Sequence, residues 1–143
     1  MSRIALAGGL AILVVFAASS NGAHAQAVSL VGAWRSCEPS IGCGIVFAFM
    51  PNGRVIKQYL LLGHTVTGYG RYHREGDDLR IVWTRVSPKR ICGPSVAADD
   101  QHRQRCVHPT EGNIGGPLEF DGFNALVWKI SGRTPLRLDR RED

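Results

Sequence analysis

The sequence predicts an all-β fold, an antiparallel up-and-down β-barrel of about eight strands. Three observations lead there. Apolar and polar residues alternate over short runs, the period of a strand half-buried in a sheet. Turn-forming residues separate these runs, so consecutive strands join as hairpins. No stretch after residue 25 carries the 3.6-residue period of an amphipathic helix. A two-sheet sandwich gives a similar list of strands. Closure into a barrel is the inference, because it removes the unpaired edges that a meander of hairpins otherwise leaves.

The elements follow in order. Residues 30–36 make a first strand around Gly32-Ala33-Trp34. Residues 44–50 make a second, with Ile45, Phe47 and Phe49 on one face. Pro51-Asn52-Gly53 is a strong turn: proline presets the first position, and asparagine and glycine tolerate positive φ. Residues 54–62 return as the partner strand. Gly63-His64 turns the chain again. Residues 65–73 place Val66, Gly68, Gly70 and Tyr72 on one face, and two glycines there predict sharp bending or close backbone approach. Glu75-Gly76-Asp77-Asp78 is a polar hairpin turn. In 79–86, Leu79, Ile81 and Trp83 point inward while Arg80 and Thr84 point outward. Tyr59 and Tyr69 fall on the outward phase of their strands. Residues 87–116 break the rhythm with Pro88, Pro94, Pro109 and a polar run, and are read as one long loop of the kind that carries function. Three short strands close the chain at 118–120, 124–130 and 134–139.

Residues 1–25 precede this domain. Arg3 gives a positive start, residues 4–18 are apolar or glycine, and the stretch ends Ala23-His24-Ala25. That is the order of a secretory signal peptide. The apolar run is shorter than the roughly 18–20 residues of a membrane span, and no cysteine follows the cleavage point directly. The expected mature chain begins near Gln26 and is exported, periplasmic or secreted, without a stable membrane anchor. Residues 26–143 then form a single domain. The formal charge of +5 falls to +4 with the loss of Arg3, a mild excess that a solvated surface accounts for.

Export sets how the cysteines read. Cys37, Cys43, Cys92 and Cys106 are an even set in an oxidising compartment, where disulfides are the default. Four cysteines allow three pairings; local pairing, Cys37–Cys43 and Cys92–Cys106, closes short loops and suits their placement. The competing reading is a metal site from His102, Cys106 and His108 with Cys92. No C-x-x-C or H-x-x-x-H spacing supports it, so no metal and no cofactor are expected.

Catalytic signatures are missing from the sequence. There is no G-x-S-x-G, no H-E-x-x-H and no phosphate-binding glycine loop. Asp77-Asp78 and Asp99-Asp100 fall in loops as solvated pairs. His64 and His73 fall near a turn and a strand end, and Glu119 faces water. The expectation is a protein that is not an enzyme. Nucleic acid is not an expected partner.

Val31-Gly32-Ala33-Trp34-Arg35 resembles the G-x-W opening of lipocalin-like barrels. The resemblance covers the strand order and the two ends of the domain. The chain is shorter than a typical lipocalin and lacks its C-terminal helix. The resemblance implies that Trp34 closes one end of the barrel under a late arginine. Arg140 is in phase with inward Leu136 and Leu138 and is the candidate; Arg137 falls on the outward phase. It also implies a small hydrophobic ligand, with Phe47, Phe49, Tyr72, Trp83 and Trp128 as the interior residues to hold it. The alternative to that cavity is a core packed by the same aromatics. The domain is similar, too, to small exported bacterial barrels that inhibit proteases or lysozyme. No inhibitory motif matches residue by residue, so nothing is carried over from that resemblance. A protein partner is the alternative that the 87–116 loop itself offers, because a disulfide-held loop loses less entropy on binding and Lys89, Arg90, Arg103 and Arg105 make it locally basic.

Overall fold

The computed structural model describes residues 27–38, 42–94 and 104–142; the leader at 1–25 lies outside them, as do His102 and Arg103. The described residues form ten strands and no helix: β1 (Gly32–Glu38), β2 (Gly42–Phe49), β3 (Arg54–Leu61), β4 (His64–Glu75), β5 (Asp78–Ser87), β6 (Ile91–Pro94), β7 (Gln104–Val107), β8 (Ile114–Asp121), β9 (Ala125–Trp128) and β10 (Leu136–Arg140). Eight of them close into an antiparallel barrel in the order β1-β10-β9-β8-β5-β4-β3-β2, and β6 and β7 pair as a separate ribbon. The chain runs up and down, so the β2–β3, β4–β5 and β8–β9 turns share one end. The β1–β2, β3–β4 and β9–β10 connections and the long excursion from β5 to β8 share the other.

Alternation builds the core as the sequence predicts. Trp34, Phe47, Phe49, Val55, Val66, Leu79, Ile81, Leu118, Leu126, Trp128 and Leu138 all point inward and expose at most 3% of their surface. Three local expectations need correction. The 87–116 segment is not one irregular loop: it contains β6, β7 and the first residues of β8. Each ribbon strand has four residues, too few for a period to show, and the pairing comes from Cys92 lying directly opposite Cys106. The β3–β4 turn sits one residue earlier than Gly63-His64. Leu62 and Gly63 both take positive φ, 51° and 78°, as a two-residue hairpin of the primed type requires. Tyr59 is inward, in phase with Val55 and opposite buried Val66.

Both local disulfides are present, Cys37–Cys43 across β1 and β2 and Cys92–Cys106 across the ribbon. They point to an oxidising compartment. The sulfurs of Cys92 and Cys106 are thereby taken, so they are not ligands of a metal.

The turn-rich end is closed by Trp34 and Arg140. The Arg140 guanidinium lies 4.3 Å from the Trp34 ring centroid. Its nitrogens donate to the carbonyls of Ser29 at 2.7 Å, Val31 at 3.0 Å and Phe123 at 3.2 Å. The indole of Trp34 donates to the Leu30 carbonyl at 2.7 Å. Gly32 explains the glycine of G-x-W: its φ is +130°, and a Cβ there would sit 2.9 Å from Arg140 Nη1. Replacing Arg140 by alanine removes the stacking and the charged hydrogen bonds together. The expected loss is about 2–3 kcal/mol in urea unfolding at neutral pH. An unfolding midpoint identical to that of the parent protein would remove the cap from the account.

Candidate functional site

Four of the five aromatics expected to hold a ligand fill the barrel against one another. Phe47 stacks on Phe49 at 5.9 Å and meets Trp128 edge-on at 6.1 Å; Phe49 meets Tyr72 edge-on at 5.1 Å. The hydroxyl of Tyr72 donates to the Met50 carbonyl at 2.7 Å, and burial raises its pKa. Trp128 donates its indole proton to the Gly116 carbonyl at 3.0 Å. A void wide enough for a lipid tail leaves bare surface on the side chains that line it. Trp34, Phe47, Phe49 and Trp128 have 0–2% bare. Their dimensions are those of a packed core, the outcome an eight-stranded barrel reaches when side chains occupy its axis.

Trp83 stands apart from these four. It lies at the opposite end of the barrel, where the two glycines of β4 make room for it. A Cβ on Gly70 would come within 2.9 Å of the Trp83 ring and 2.6 Å of the Val82 carbonyl, and one on Gly68 within 3.3 Å of the ring. The register of β4 against β5 shifts beside this point, between Tyr69 and Gly70. Glycine therefore serves close approach here, as its spacing predicts. The Trp83 indole nitrogen is buried and has no hydrogen-bond partner among the described residues.

Around Trp83 the structure assembles a polar cluster that sequence reasoning missed. Lys57 points into the barrel from β3, and its Nζ lies 3.0 and 3.1 Å from the two carboxylate oxygens of Glu111. Their side chains are 11% and 7% exposed. The same ammonium lies 4.8 Å from the Tyr59 ring centroid and 5.8 Å from that of Trp83. The Tyr59 phenol is pushed up to about 12 by burial first, then by the charge of Glu111 and by a hydrogen bond to it. Asn113 adds a stitch, its side-chain oxygen accepting from the Trp83 backbone at 3.3 Å. Lys57 and Tyr59 share the phase of Val55, a signal that alternation offered. Glu111 gave none, because a loop residue has no periodicity.

This cluster is a clasp. The Lys57 ammonium engages both oxygens of the Glu111 carboxylate and so ties residues 109–113 across the barrel end. The ribbon is seated beside it. His64 Nε2 donates to the Cys92 carbonyl at 3.1 Å, and Gly93 leaves space for Leu62, whose Cβ would be 3.1 Å from a Cβ at that glycine. Ile91 is 3% exposed. Lys89, Arg90 and Arg105 remain exposed. An open groove of about 320 Å³ runs between the end of β5 and the clasp, lined by Trp83, Arg85, Lys89, Pro109 and Glu111 among others.

The fold class is therefore a closed eight-stranded up-and-down barrel, compatible with a calycin-like fold. No protein-family model matches the chain, and no curated protein matches it significantly.

Two outcomes test the clasp. Glu111→Ala strands Lys57 at a nearly buried position and is expected to lower stability by roughly 3 kcal/mol. The double change Lys57→Met/Glu111→Leu removes both charges and is expected to recover at least half of that loss; equal losses in single and double variants would contradict the pairing. The second outcome is alkaline. Below pH 10 the Tyr59 hydroxyl is protonated in folded and unfolded chains alike, so its contribution to stability is complete. Between pH 10 and about 12 the unfolded chain loses that proton while the folded one keeps it, and the contribution falls. Phenolate absorbance should show one tyrosine ionising near the top of that range, and Glu111→Gln should move that step down.

Proposed function

We propose that this chain is an exported, non-catalytic binding protein of lipocalin-like architecture that recognises a protein partner through the β6–β7 ribbon. The packed interior is the observation that carries this reading. With Phe47, Phe49 and Trp128 nearly devoid of bare surface, a hydrophobic ligand has no space along the axis unless the core repacks. Recognition then falls to the outside. The ribbon suits it, because a disulfide and contacts to His64 and Leu62 hold it before any partner arrives. A pre-ordered segment loses less entropy on binding. Its exposed Lys89, Arg90 and Arg105 match an acidic partner surface, such as that of a secreted hydrolase under inhibition. The leader and the two disulfides support export.

Two measurements on the mature chain separate this reading from ligand carriage. A fluorescent fatty-acid analogue titrated into the protein should give no saturable signal; a 1:1 saturation curve returns the weight to the interior. In parallel, the intact protein and Lys89→Glu/Arg90→Glu/Arg105→Glu should be compared as baits in the native extracellular or periplasmic fraction. Partners held by the first and lost by the second are the expected result, and equal recovery by both removes the ribbon from the proposal.

A further inference from the structure

The outer face of the barrel over β3, β4 and β5 carries an arrangement that neither the core nor the ribbon explains. Arg54 and Arg71 are directly opposite one another on neighbouring strands, and Arg85 is opposite Tyr69 one row along. All three arginines are exposed. None of them pairs with a carboxylate among the described residues, whereas nearby Arg80 is paired with Asp78 at 2.9 Å and Arg74 lies 4.0 Å from Asp77. The outward rows here read Ala48, Ile56, Tyr69, Arg85 and then Arg54, Arg71, Val82, with no acidic residue in either. Like charges placed directly opposite across a sheet are destabilising. The arrangement therefore costs the isolated fold some stability.

A depression of about 370 Å³ lies among these side chains, lined by Arg54, Ile56, Tyr69, Arg71 and Thr84 and floored by the backbone at Gly70. The β4–β5 register shift falls in its floor, between Tyr69 and Gly70. A bulge of this kind bends the strand and re-aims its neighbours. The Thr84 hydroxyl donates to the Tyr69 carbonyl at 3.0 Å and fixes the bulge. From strand spacing, the three arginine positions fall within about 12 Å at the backbone. A guanidinium presents a planar fork that takes a carboxylate or a sulfate in bidentate fashion.

We propose that this face binds an acidic polysaccharide, with Arg54 and Arg71 gripping one anionic substituent, Arg85 the next, and a sugar ring resting in the depression against Ile56 and Thr84. Charge complementarity is one argument for an anionic chain. The state of Tyr69 selects among anionic chains. Its ring is stacked with the Arg85 guanidinium at 4.2 Å, so a ring face that a nucleic-acid base needs for stacking is occupied. A lipid surface asks for apolar residues that enter it beside the cations, and on these rows Val82, 52% exposed, is the one strongly exposed large apolar residue. Repeated carboxylates or sulfates on sugar rings need neither.

The test uses the mature chain and three probes: heparin as a sulfated and carboxylated polysaccharide, a single-stranded oligothymidylate, and phosphatidylglycerol vesicles. Heparin is expected to bind most tightly, with affinity falling as salt rises. Arg54→Gln/Arg71→Gln should weaken heparin binding at least tenfold. The control Arg133→Gln/Arg141→Gln removes the same net charge elsewhere and should change it less than twofold. The patch variant should unfold at the same temperature as the parent or higher, because a like-charge pair has been relieved. Three results overturn the proposal: no retention on heparin, equal weakening by patch and control variants, or tighter binding to the oligonucleotide or the vesicles. The ribbon variant Lys89→Glu/Arg90→Glu/Arg105→Glu separates the two faces, since loss of its partners leaves the effect of the Arg54 and Arg71 changes intact.

Discussion

The barrel depends on the seam between its first and last strands. That seam has two register pairs, Trp34 with Arg140 and Arg35 with Asp139, against eight between β3 and β4. It also joins residues more than a hundred positions apart, so its closure carries a large entropic cost with few ladder bonds to offset it. Arg140 supplies what the ladder lacks. One guanidinium stacks on Trp34 and engages carbonyls before β1 and in the β8–β9 turn, so a single side chain ties the start, the end and a neighbouring turn together. Gly32 is the backbone condition for this approach. Once the seam is shut, β1 and β10 have no free edge, and Trp34 becomes the floor of a closed interior.

Much of this was readable in advance, and the reasons differ by element. Where polar residues interrupt apolar ones, as at Arg80 and Thr84 among Leu79, Ile81 and Trp83, strand and face follow from the period. The wholly apolar run around Phe47 and Phe49 is placed by its length, its β-formers and the Pro51-Asn52-Gly53 turn that ends it. The inward phase of Arg140 was legible for the same reason. The ribbon was not, because Ile91–Pro94 and Gln104–Val107 are too short to show a period and are defined by a disulfide between them. Tyr59 was misplaced because amphipathic side chains fit either face of a strand: its ring packs inside, beneath the Lys57 ammonium. Lys57 is the harder case. A lysine reads as exposed by default, and it is buried here only because a loop residue fifty-four positions away brings a carboxylate to it. No local pattern encodes that contact.

The clasp also explains how the far end of the barrel comes to be closed. Two glycines on the inner face of β4 remove side-chain volume where the interior would otherwise be fullest. That space is taken by the Trp83 ring and by the Glu111 side chain, whose Cγ would lie 3.5 Å from a Cβ on Gly68. The glycines admit neighbours rather than opening a lumen. The long excursion from β5 to β8 is therefore part of the barrel's packing at residues 111–113 and a projecting ribbon beyond them. One segment both packs against the interior through Glu111 and projects the disulfide-bonded ribbon outward.

The placement of cations divides along the same line. Inside, the one lysine that burial would penalise is given a carboxylate and two aromatic rings. Near the β4–β5 turn, Arg74 and Arg80 have their aspartates. On the outer rows of β3–β5, Arg54, Arg71 and Arg85 have none among the described residues. Outward sheet positions accept many residue types at little cost, so the fold does not require arginine at any of the three, and the opposed pair of β3 and β4 works against it. That arrangement, which the fold does not require and its own electrostatics resist, is the ground on which the polysaccharide proposal rests. The Arg54–Arg71 pair sits on the longest ladders of the barrel and the ribbon on its excursion, while Arg85 borders both, facing Tyr69 on one side and the groove beside Lys89 on the other.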